Sequence, residues 1–164
     1  MKRLLFFIAL AACVSGMSAQ QTIRDLFREM PDSLMPYLSQ NNRLDFIDFL
    51  DSNMKAEVKN QFGGTSEMTA LTDDSLSIRM NSALRVDMLL EPLQEPMDTV
   101  SQVIVFVETF LVDSLYGESS VRYFTPDWKL LSQTPPMTAV TRKRLKALKF
   151  ENILKWDSDV LNKR

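Results

Sequence analysis

The sequence predicts an α+β domain, with N-terminal helices packed on a curved antiparallel meander sheet of about five strands and a C-terminal helical segment. Three observations support this prediction. Apolar residues recur with helical spacing over residues 22–59, alternate with polar residues over 66–125, and indicate a helix again from Thr138. The connections between the alternating segments are short, which favours strands that pair in chain order.

Residues 1–19 are predicted to be a secretory signal peptide and not part of this domain. A short basic head precedes an apolar run from Leu4 to Val14, which is too short to span a bilayer, and small and polar residues follow. Cleavage after Ala19 would release residues 20–164 as a single α+β domain, periplasmic or secreted. In the alternative, the letters LAAC ending at Cys13 resemble a lipobox, and the chain is lipid-anchored through that cysteine.

The first helix is predicted over residues 22–31, TIRDLFREMP. Thr22 can accept hydrogen bonds from the free amides of the first turn, and Asp25, three residues later, completes a capping box. Pro31 ends the helix. The apolar residues fall at positions i, i+3, i+4 and i+7 of one stripe: Ile23, Leu26, Phe27 and Met30.

The second helical region is predicted over residues 43–59, with Asn42 as its N-cap. Helical projection places Asp45 and Asp48 on the solvent side. Asp51 projects beside the apolar stripe, so we expect a break there, with Asp51 or Ser52 capping a second helix. The predicted stripe consists of Leu44, Ile47, Leu50, Met54 and Val58. The aspartates lack the glycine and closing glutamate of a calcium loop, so no metal site is predicted.

The predicted strands show two kinds of pattern. In residues 75–80 and 83–90, apolar side chains alternate with polar ones such as Arg85 and Asp87, which should face water. Residues 100–112 are apolar in both alternating sets, which predicts a central strand covered on both faces. Further strands are expected at 66–71 and 119–125, and a loop at the proline-containing segment 91–98.

The composition excludes several classes of protein. The chain has no histidine, and its single cysteine lies in the predicted signal peptide, so histidine and thiol catalysis and nearly all zinc and iron sites are excluded. Four glycines cannot build a phosphate-binding loop. Residues 20–164 carry 17 basic and 21 acidic side chains, and this mild acidity argues against nucleic acid. We expect no catalytic residue, no cofactor, no metal and no transmembrane segment in the mature chain.

Carboxylates provide the remaining candidates for chemistry. Asp73 and Asp74 form a predicted turn between strands, and with Glu91 or Glu95 they could act as the paired carboxylates of a hydrolase. Glu108 is the more unusual residue, because it lies in the most apolar strand. A carboxylate there should be paired, raised in pKa or exposed at the sheet edge.

The C-terminal segment is strongly basic. From Thr138 to the end it holds eight basic and three acidic residues, whereas residues 31–98 hold 12 acidic and five basic ones. The basic binding candidates are Arg142, Lys143, Arg144 and Lys146. They could contact anionic lipid or another polyanion, or they could form a solvated helix face that pairs with the acidic half.

Residues 30–80 resemble an uncharacterised secreted-protein family of Bacteroides-type bacteria, most specifically in the blocks MPDSLMPYL and NNRLD. The resemblance continues through SSVRYFTPDW, residues 119–128. That family is known only as a domain of unknown function. The resemblance implies export to the envelope of a two-membrane bacterium, and it supplies no activity, substrate or catalytic residue.

Together these patterns predict an exported, non-enzymatic envelope or periplasmic protein that binds another envelope protein or a small ligand. One alternative is a carboxylate-dependent glycan hydrolase. The other is a membrane-surface or lipoprotein module that uses the basic segment.

Overall fold

A computed structural model of the protein describes residues 21–97, 100–112 and 117–148. In these ranges the chain forms three α-helices, a short 3-10 helix at Asp32–Leu34 and one six-stranded antiparallel sheet. The elements are α1 (Ile23–Glu29), α2 (Gln40–Asp51), β1 (Glu57–Lys59), β2 (Thr65–Leu71), β3 (Ser75–Arg79), β4 (Leu84–Met97), β5 (Val100–Leu111), β6 (Gly117–Phe124) and α3 (Ala139–Leu148). The strands lie in chain order, so the predicted α+β meander is confirmed with six strands and not five.

Both faces of the sheet are covered. The first face packs against α1 and α2 in the larger apolar cluster, which includes Ile78, Val86 and Phe106. The second face packs against α3 in a smaller cluster that includes Val105 and Leu145. Strand β5 contributes to both clusters and is buried from residue 103 to 107, so the predicted central strand is confirmed. None of the helices in the described ranges has the length and apolar character needed to cross a membrane.

Helix α1 forms as predicted. The Thr22 hydroxyl accepts a hydrogen bond from the backbone N–H of Asp25 at 3.2 Å, and the Asp25 carboxylate accepts one from the N–H of Thr22 at 3.3 Å. The helix ends at Glu29, just before Pro31. Ile23, Leu26 and Phe27 are buried against the first face.

The start of α2 differs from the prediction. The helix begins at Gln40, and Ser39 is its N-cap, because the Ser39 hydroxyl accepts a hydrogen bond from the Asn42 N–H at 3.2 Å. The predicted cap Asn42 instead closes the capping box: its side chain accepts from the Ser39 N–H at 3.1 Å. Asp45 and Asp48 are exposed, as predicted.

The buried face of α2 is rotated from the predicted apolar stripe. Leu44 is 37% exposed, and Met54, which lies beyond the helix, is 55% exposed. The buried residues of the helix are Arg43, Phe46 and Ile47. The predicted stripe differs because it counted apolar residues only, whereas the buried face includes Arg43, whose guanidinium satisfies buried backbone carbonyls.

The predicted continuation of helix beyond Asp51 is wrong. The Met54 N–H donates to the Phe49 carbonyl at 2.8 Å and the Asn53 N–H donates to the Leu50 carbonyl at 3.0 Å, with Asn53 at φ 54°. These two bonds form a Schellman motif, which ends the helix, and strand β1 follows. Asp51 is not a cap: its carboxylate pairs with the Arg24 guanidinium at 2.6 Å.

Substitution at Asn53 tests this helix end. Asn53→Val is expected to lower the free energy of unfolding by about 1–2 kcal/mol, because a β-branched residue resists the left-handed conformation. Asn53→Gly is the control and should keep or slightly raise stability, because glycine adopts positive φ without steric cost. Urea denaturation of the three proteins measures both effects. An Asn53→Val protein as stable as the wild type would contradict this account.

Strand β4 extends to Met97, so the loop predicted at 91–98 is wrong over its described part. β3 begins at Ser75, opposite Leu89, so within the described ranges no strand of the sheet lies beside this edge of β4 from residue 90 onward. The N–H groups of Leu90 and Gln94 both donate on that side, to the carbonyls of Asp74 and Pro136. The nitrogen of Pro92, midway between them, faces the same side, away from β5, so the missing N–H removes no hydrogen bond of the β4–β5 pair.

The prediction that Asp87 faces water is also wrong. It lies on the second face, opposite the α1–α2 layer, but its accessible surface is 0%. Arg85 Nε lies 2.8 Å from Asp87 Oδ2, and Arg85 Nη2 lies 2.8 Å from Oδ1. The Ser77 hydroxyl also donates to Asp87. Polar residues on this face are thus buried by pairing with one another, which the alternation alone did not reveal.

Candidate functional site

A cavity of about 480 Å³ lies where α1, the β2–β3 turn, β4, β5 and α3 meet. Its polar lining includes Gln21, Thr22, Asp73, Asp74, Glu91 and Arg144. The three carboxylates come from the acidic part of the chain, residues 31–98, and Arg144 comes from the basic C-terminal segment. The cavity is therefore the place where the two charge-biased parts of the sequence meet.

The turn at Asp73 and Asp74, which the sequence predicted, organises the cavity. The Ser75 N–H donates to the Thr72 hydroxyl at 3.0 Å, and this hydroxyl donates to the Asp74 carboxylate at 2.8 Å. The carbonyl of Asp73 accepts from the Ile23 N–H at 2.8 Å, and the carbonyl of Asp74 accepts from the Leu90 N–H at 2.7 Å. Backbone hydrogen bonds thus tie the turn to the start of α1 and to β4.

Glu91 and Arg144 form the centre of the site. Glu91 extends from β4 on the second face of the sheet and is only 3% exposed. Arg144 Nη1 lies 2.6 Å from Glu91 Oε1 and 2.9 Å from Asp74 Oδ2. The buried Thr141 hydroxyl donates to Glu91 Oε2 at 2.7 Å. Two residues one turn apart on α3 therefore attach the helix to the sheet through one carboxylate.

Both oxygens of Glu91 are held from within the protein. Oε2 accepts the hydrogen bond from Thr141, and Oε1 is buried beside the Arg144 guanidinium, which supplies its counter-charge. Buried carboxylate oxygens normally have such partners. Glu91 therefore serves mainly to attach α3 to the sheet at the wall of the cavity.

Asp74 is held in its charged form. Burial, the largest single influence, raises the pKa of the Asp74 carboxyl, but the hydrogen bonds from Arg144 and Thr72 together outweigh burial and lower this pKa below its ordinary value of 3.8. The stability that Asp74 contributes is therefore present above about pH 3.8 and lost as the pH falls through the lower pKa of the folded state.

Acid denaturation tests the role of Asp74. We expect Asp74→Asn to reduce the loss of unfolding free energy between about pH 6 and about pH 3, because the variant has no proton to bind at this site. Thr72→Val removes one of the two main hydrogen-bond donors, so its pH slope should lie between those of the wild type and Asp74→Asn. Urea denaturation at a series of pH values gives the slopes. Identical slopes for wild type and Asp74→Asn would contradict the assignment.

The four basic candidates do not form a uniform exposed patch. Arg144 points toward the sheet and pairs with Glu91 and Asp74. Arg142 Nη1 donates to the carbonyl of Met137 at 2.6 Å, and Lys146 also has an interaction partner. Lys143 is exposed. The structure thus brings one of the four, Arg144, into the cavity.

Glu108 is separate from the cavity. It lies six residues along β5 from Gln102, which lines the cavity, a distance of roughly 20 Å along the strand. The Glu108 carboxylate accepts from Arg122 Nη2 at 2.7 Å, and the Arg122 guanidinium lies over the Phe106 ring at 4.8 Å. Of the three expectations for this carboxylate, pairing is the one observed.

Some of the acidic candidates line the cavity and others do not. Asp73, Asp74 and Glu91 line the cavity, as the hypothesis of paired carboxylates required, whereas the exposed Glu95 does not. Over the described ranges, no three acidic, histidine or cysteine side chains are grouped so that they could hold a metal ion.

Sequence reasoning missed Thr141. Its hydroxyl lies three residues before Arg144, at the spacing of one helix face, and this spacing was the available signal.

Comparisons with known proteins give a family and a fold. A model of the family described as "Protein of unknown function (DUF3256)" matches residues 15–159. A solved domain of an uncharacterized protein from Porphyromonas gingivalis W83 is similar in structure, with a TM-score of 0.55 and 22% sequence identity. That match covers 68% of this chain and 54% of the other, so this chain spans about half the length of the solved one. No curated protein matches.

Proposed function

This chain belongs to the DUF3256 family, whose function is unknown, and we propose that it is an exported, non-enzymatic binding module of the bacterial envelope whose ligand site is the Glu91–Arg144 cavity. The observation that carries the proposal is the cavity itself, about 480 Å³ in volume, on which the polar side chains of Asp73, Asp74, Glu91 and Arg144 converge. Its ligand is a small polar molecule.

Size and construction support a ligand site. Small-molecule pockets typically have volumes of about 300–1,000 Å³ and a few convergent polar groups, and this cavity has both features. Its walls come from strands β4 and β5 and from helix α3. Side chains on regular elements hold their positions better than side chains on long loops.

A glycan hydrolase is the second candidate, and one observation favours it. Asp74 Oδ2 and Glu91 Oε1 contact the same nitrogen of Arg144, so these oxygens lie no further apart than the sum of the two contact distances. That spacing is compatible with the pair of carboxylates in a retaining glycosidase. Release of reducing sugar from cell-wall glycans by the wild type, and its loss in Asp74→Asn and Glu91→Gln, would establish the hydrolase and refute the non-enzymatic proposal.

A membrane-surface role has less support, because Arg142 and Arg144 direct their guanidinium groups toward other parts of the chain.

The proposal that the protein is exported rests on the basic head and apolar run of residues 1–19. The mass of the N-terminal peptide from envelope-isolated protein tests it. A peptide beginning at Gln20 supports a released domain, an acylated Cys13 supports a lipid anchor, and an intact Met1 contradicts export.

Native mass spectrometry tests the binding function. Protein isolated from its own cells should carry a small-molecule adduct. The variant Gln102→Trp should lose it, because the large ring fills the cavity. Glu118→Trp, on an exposed position of β6, is the matched control and should keep the adduct. The proposal fails if no adduct occurs in the wild type, or if Gln102→Trp retains it.

A further inference from the structure

The packing of helix α3 on the sheet is looser than that of the other two helices. Within Ala139–Leu148, the buried residues are Leu145 and Thr141. The backbone of α3 also approaches the strands less closely than the backbones of α1 and α2 do. Segments with few buried apolar contacts open at a lower free energy than the core of a domain. We therefore expect α3 to leave the sheet while the first face stays folded.

Two cavities border this helix. The Glu91–Arg144 cavity is the larger, and a second cavity of about 250 Å³ lies among α3, β3 and β4. Ser75, Leu89 and Ala147 are among the residues that line the second cavity. Arg144 lines both, so its side chain lies at the boundary between them. Movement of α3 away from the sheet would join the two cavities into one groove.

The start of α3 is fixed to the sheet by its backbone. The carbonyl of Pro136 accepts a hydrogen bond from the N–H of Gln94 at 3.0 Å, and Met137 forms a β-bridge with β4. The Thr138 hydroxyl then accepts a hydrogen bond from the N–H of Thr141 at 3.1 Å, in the first turn of the helix. Thr138 is therefore the point at which a fixed segment passes into the helix.

The middle of α3 is held by polar groups that water can also satisfy. Arg144 and Thr141 contact the Glu91 carboxylate, and Arg144 also contacts Asp74. When α3 moves away, these groups lose each other but regain hydration. A buried ion pair gains little over its solvated ions, because the cost of desolvation offsets the Coulomb attraction. The contacts thus position the helix and still permit it to open.

We propose that α3 is a lid that swings about Thr138, is held closed by Arg144 and Glu91, and on opening admits the ligand to the groove on the second face of the sheet. The role in ligand entry rests on the proposed binding function, whereas the movement itself does not. In the closed state Leu89 and Val105, which pack in one cluster with Leu145, are 4% and 0% exposed. In the open state both become accessible to solvent.

Cysteine labelling tests the movement without any ligand. Val105→Cys places a thiol on the second face, and Val86→Cys places one on the first face, beneath α1 and α2. Both valines are at most 1% exposed, and Cys13→Ser removes the native thiol from each chain. Iodoacetamide should label Val105→Cys at least about 100-fold faster than Val86→Cys, because opening of the lid requires less free energy than global unfolding.

Urea distinguishes the two routes to labelling. Opening of the lid exposes little surface, so the labelling rate of Val105→Cys should change little with urea below the unfolding transition, whereas that of Val86→Cys should rise steeply. A rate for Val105→Cys no greater than that for Val86→Cys, or an equal dependence on urea, would show that α3 opens only when the domain unfolds. Either result would overturn the proposal.

A bridge between α3 and β3 tests the entry of the ligand. In Ser75→Cys with Ala147→Cys, again without Cys13, a short bis-maleimide can span the second cavity. Native mass spectrometry after dilution should show that the bridged protein loses its cell-derived adduct at least about tenfold more slowly than the same protein treated with N-ethylmaleimide. Equal rates of loss would refute the lid as the route of the ligand.

The lid and the binding function fail separately. If the labelling or the bridge contradicts the lid, an adduct that Gln102→Trp removes would preserve the binding function. If no adduct occurs in the wild type, fast labelling of Val105→Cys would preserve the movement of α3 and refute its role in ligand entry.

Discussion

Arg43→Ala is expected to lower the free energy of unfolding by about 4 kcal/mol. The guanidinium is 1% exposed and donates to three backbone carbonyls: to Phe27 through Nε at 3.1 Å, to Met30 through Nη2 at 2.6 Å and to Leu38 through Nη1 at 3.2 Å. Truncation leaves these carbonyls without their donors and opens a cavity under α2. Hydrogen bonds from a charged donor are worth about 1.5–3 kcal/mol each, so several lost together give a large effect.

Two further variants separate the causes. Nη1 of Arg43 also contacts Asp32 Oδ1 at 2.7 Å, but the Asp32 side chain is largely exposed, so Asp32→Asn should cost about 1 kcal/mol or less. Arg43→Lys keeps the charge but cannot reach three carbonyls in different directions, and its stability should be intermediate. Urea denaturation of the four proteins measures the series. Equal losses for Asp32→Asn and Arg43→Ala would contradict the role of the carbonyls.

The second large effect is expected at Arg144. Arg144→Ala should lower the free energy of unfolding by about 3 kcal/mol, because it leaves the Glu91 carboxylate buried without its counter-charge. Glu91→Gln should cost less, about 1–2 kcal/mol, since Arg144 is partly exposed and keeps Asp74 as its partner. Arg144 is the more exposed residue of the pair, yet its loss is expected to lower the free energy of unfolding more. This order would identify the unpaired, buried Glu91 carboxylate as the cause of the destabilisation.

The double variant Arg144→Ala with Glu91→Gln completes the cycle. The decrease in the free energy of unfolding of the double variant should be smaller than the sum of the decreases in the two single variants, because glutamine does not require a counter-charge. Hydrogen exchange should also show faster exchange in α3 in Arg144→Ala than in the wild type. Additive losses with unchanged exchange in α3 would contradict the view that this pair attaches the helix.

Local patterns predicted much of the fold. The capping box of Thr22 and Asp25 depends on neighbouring residues and formed as predicted. The alternation in β3 and β4 correctly predicted strands, although Asp87 on the polar side is buried. The break near Asp51 was predicted, but the helix was expected to restart after it, because the stop depends on Asn53 at positive φ and no glycine signals it. The extension of β4 was missed because proline is acceptable there only at an edge without a neighbouring strand.

The candidate site was predictable in its parts but not in its assembly. Asp73, Asp74 and Glu91 were proposed as partners, and they do line one cavity. Arg144 was predicted either to contact a polyanion or to lie on a helix face that pairs with the acidic half, and the structure shows the pairing. Its partners could not be named, because no local pattern shows that α3 packs on the second face of the sheet. Thr141 and Glu91, which hydrogen-bond directly, are 50 residues apart in the chain. Such a contact is set by tertiary packing, which local periodicity does not determine.

The most direct test of the central claim is a chemical-shift titration of the isotopically labelled full chain with the small molecule released from the cell-isolated protein. If the cavity is the ligand site, the largest shifts should cluster at the backbone amides of Asp73, Asp74, Glu91, Gln102 and Arg144. The same molecule added to the Gln102→Trp variant should leave these signals unchanged. Shifts confined to the exposed face of α3 around Lys143, or scattered over the sheet without a cluster at the cavity, would contradict the account.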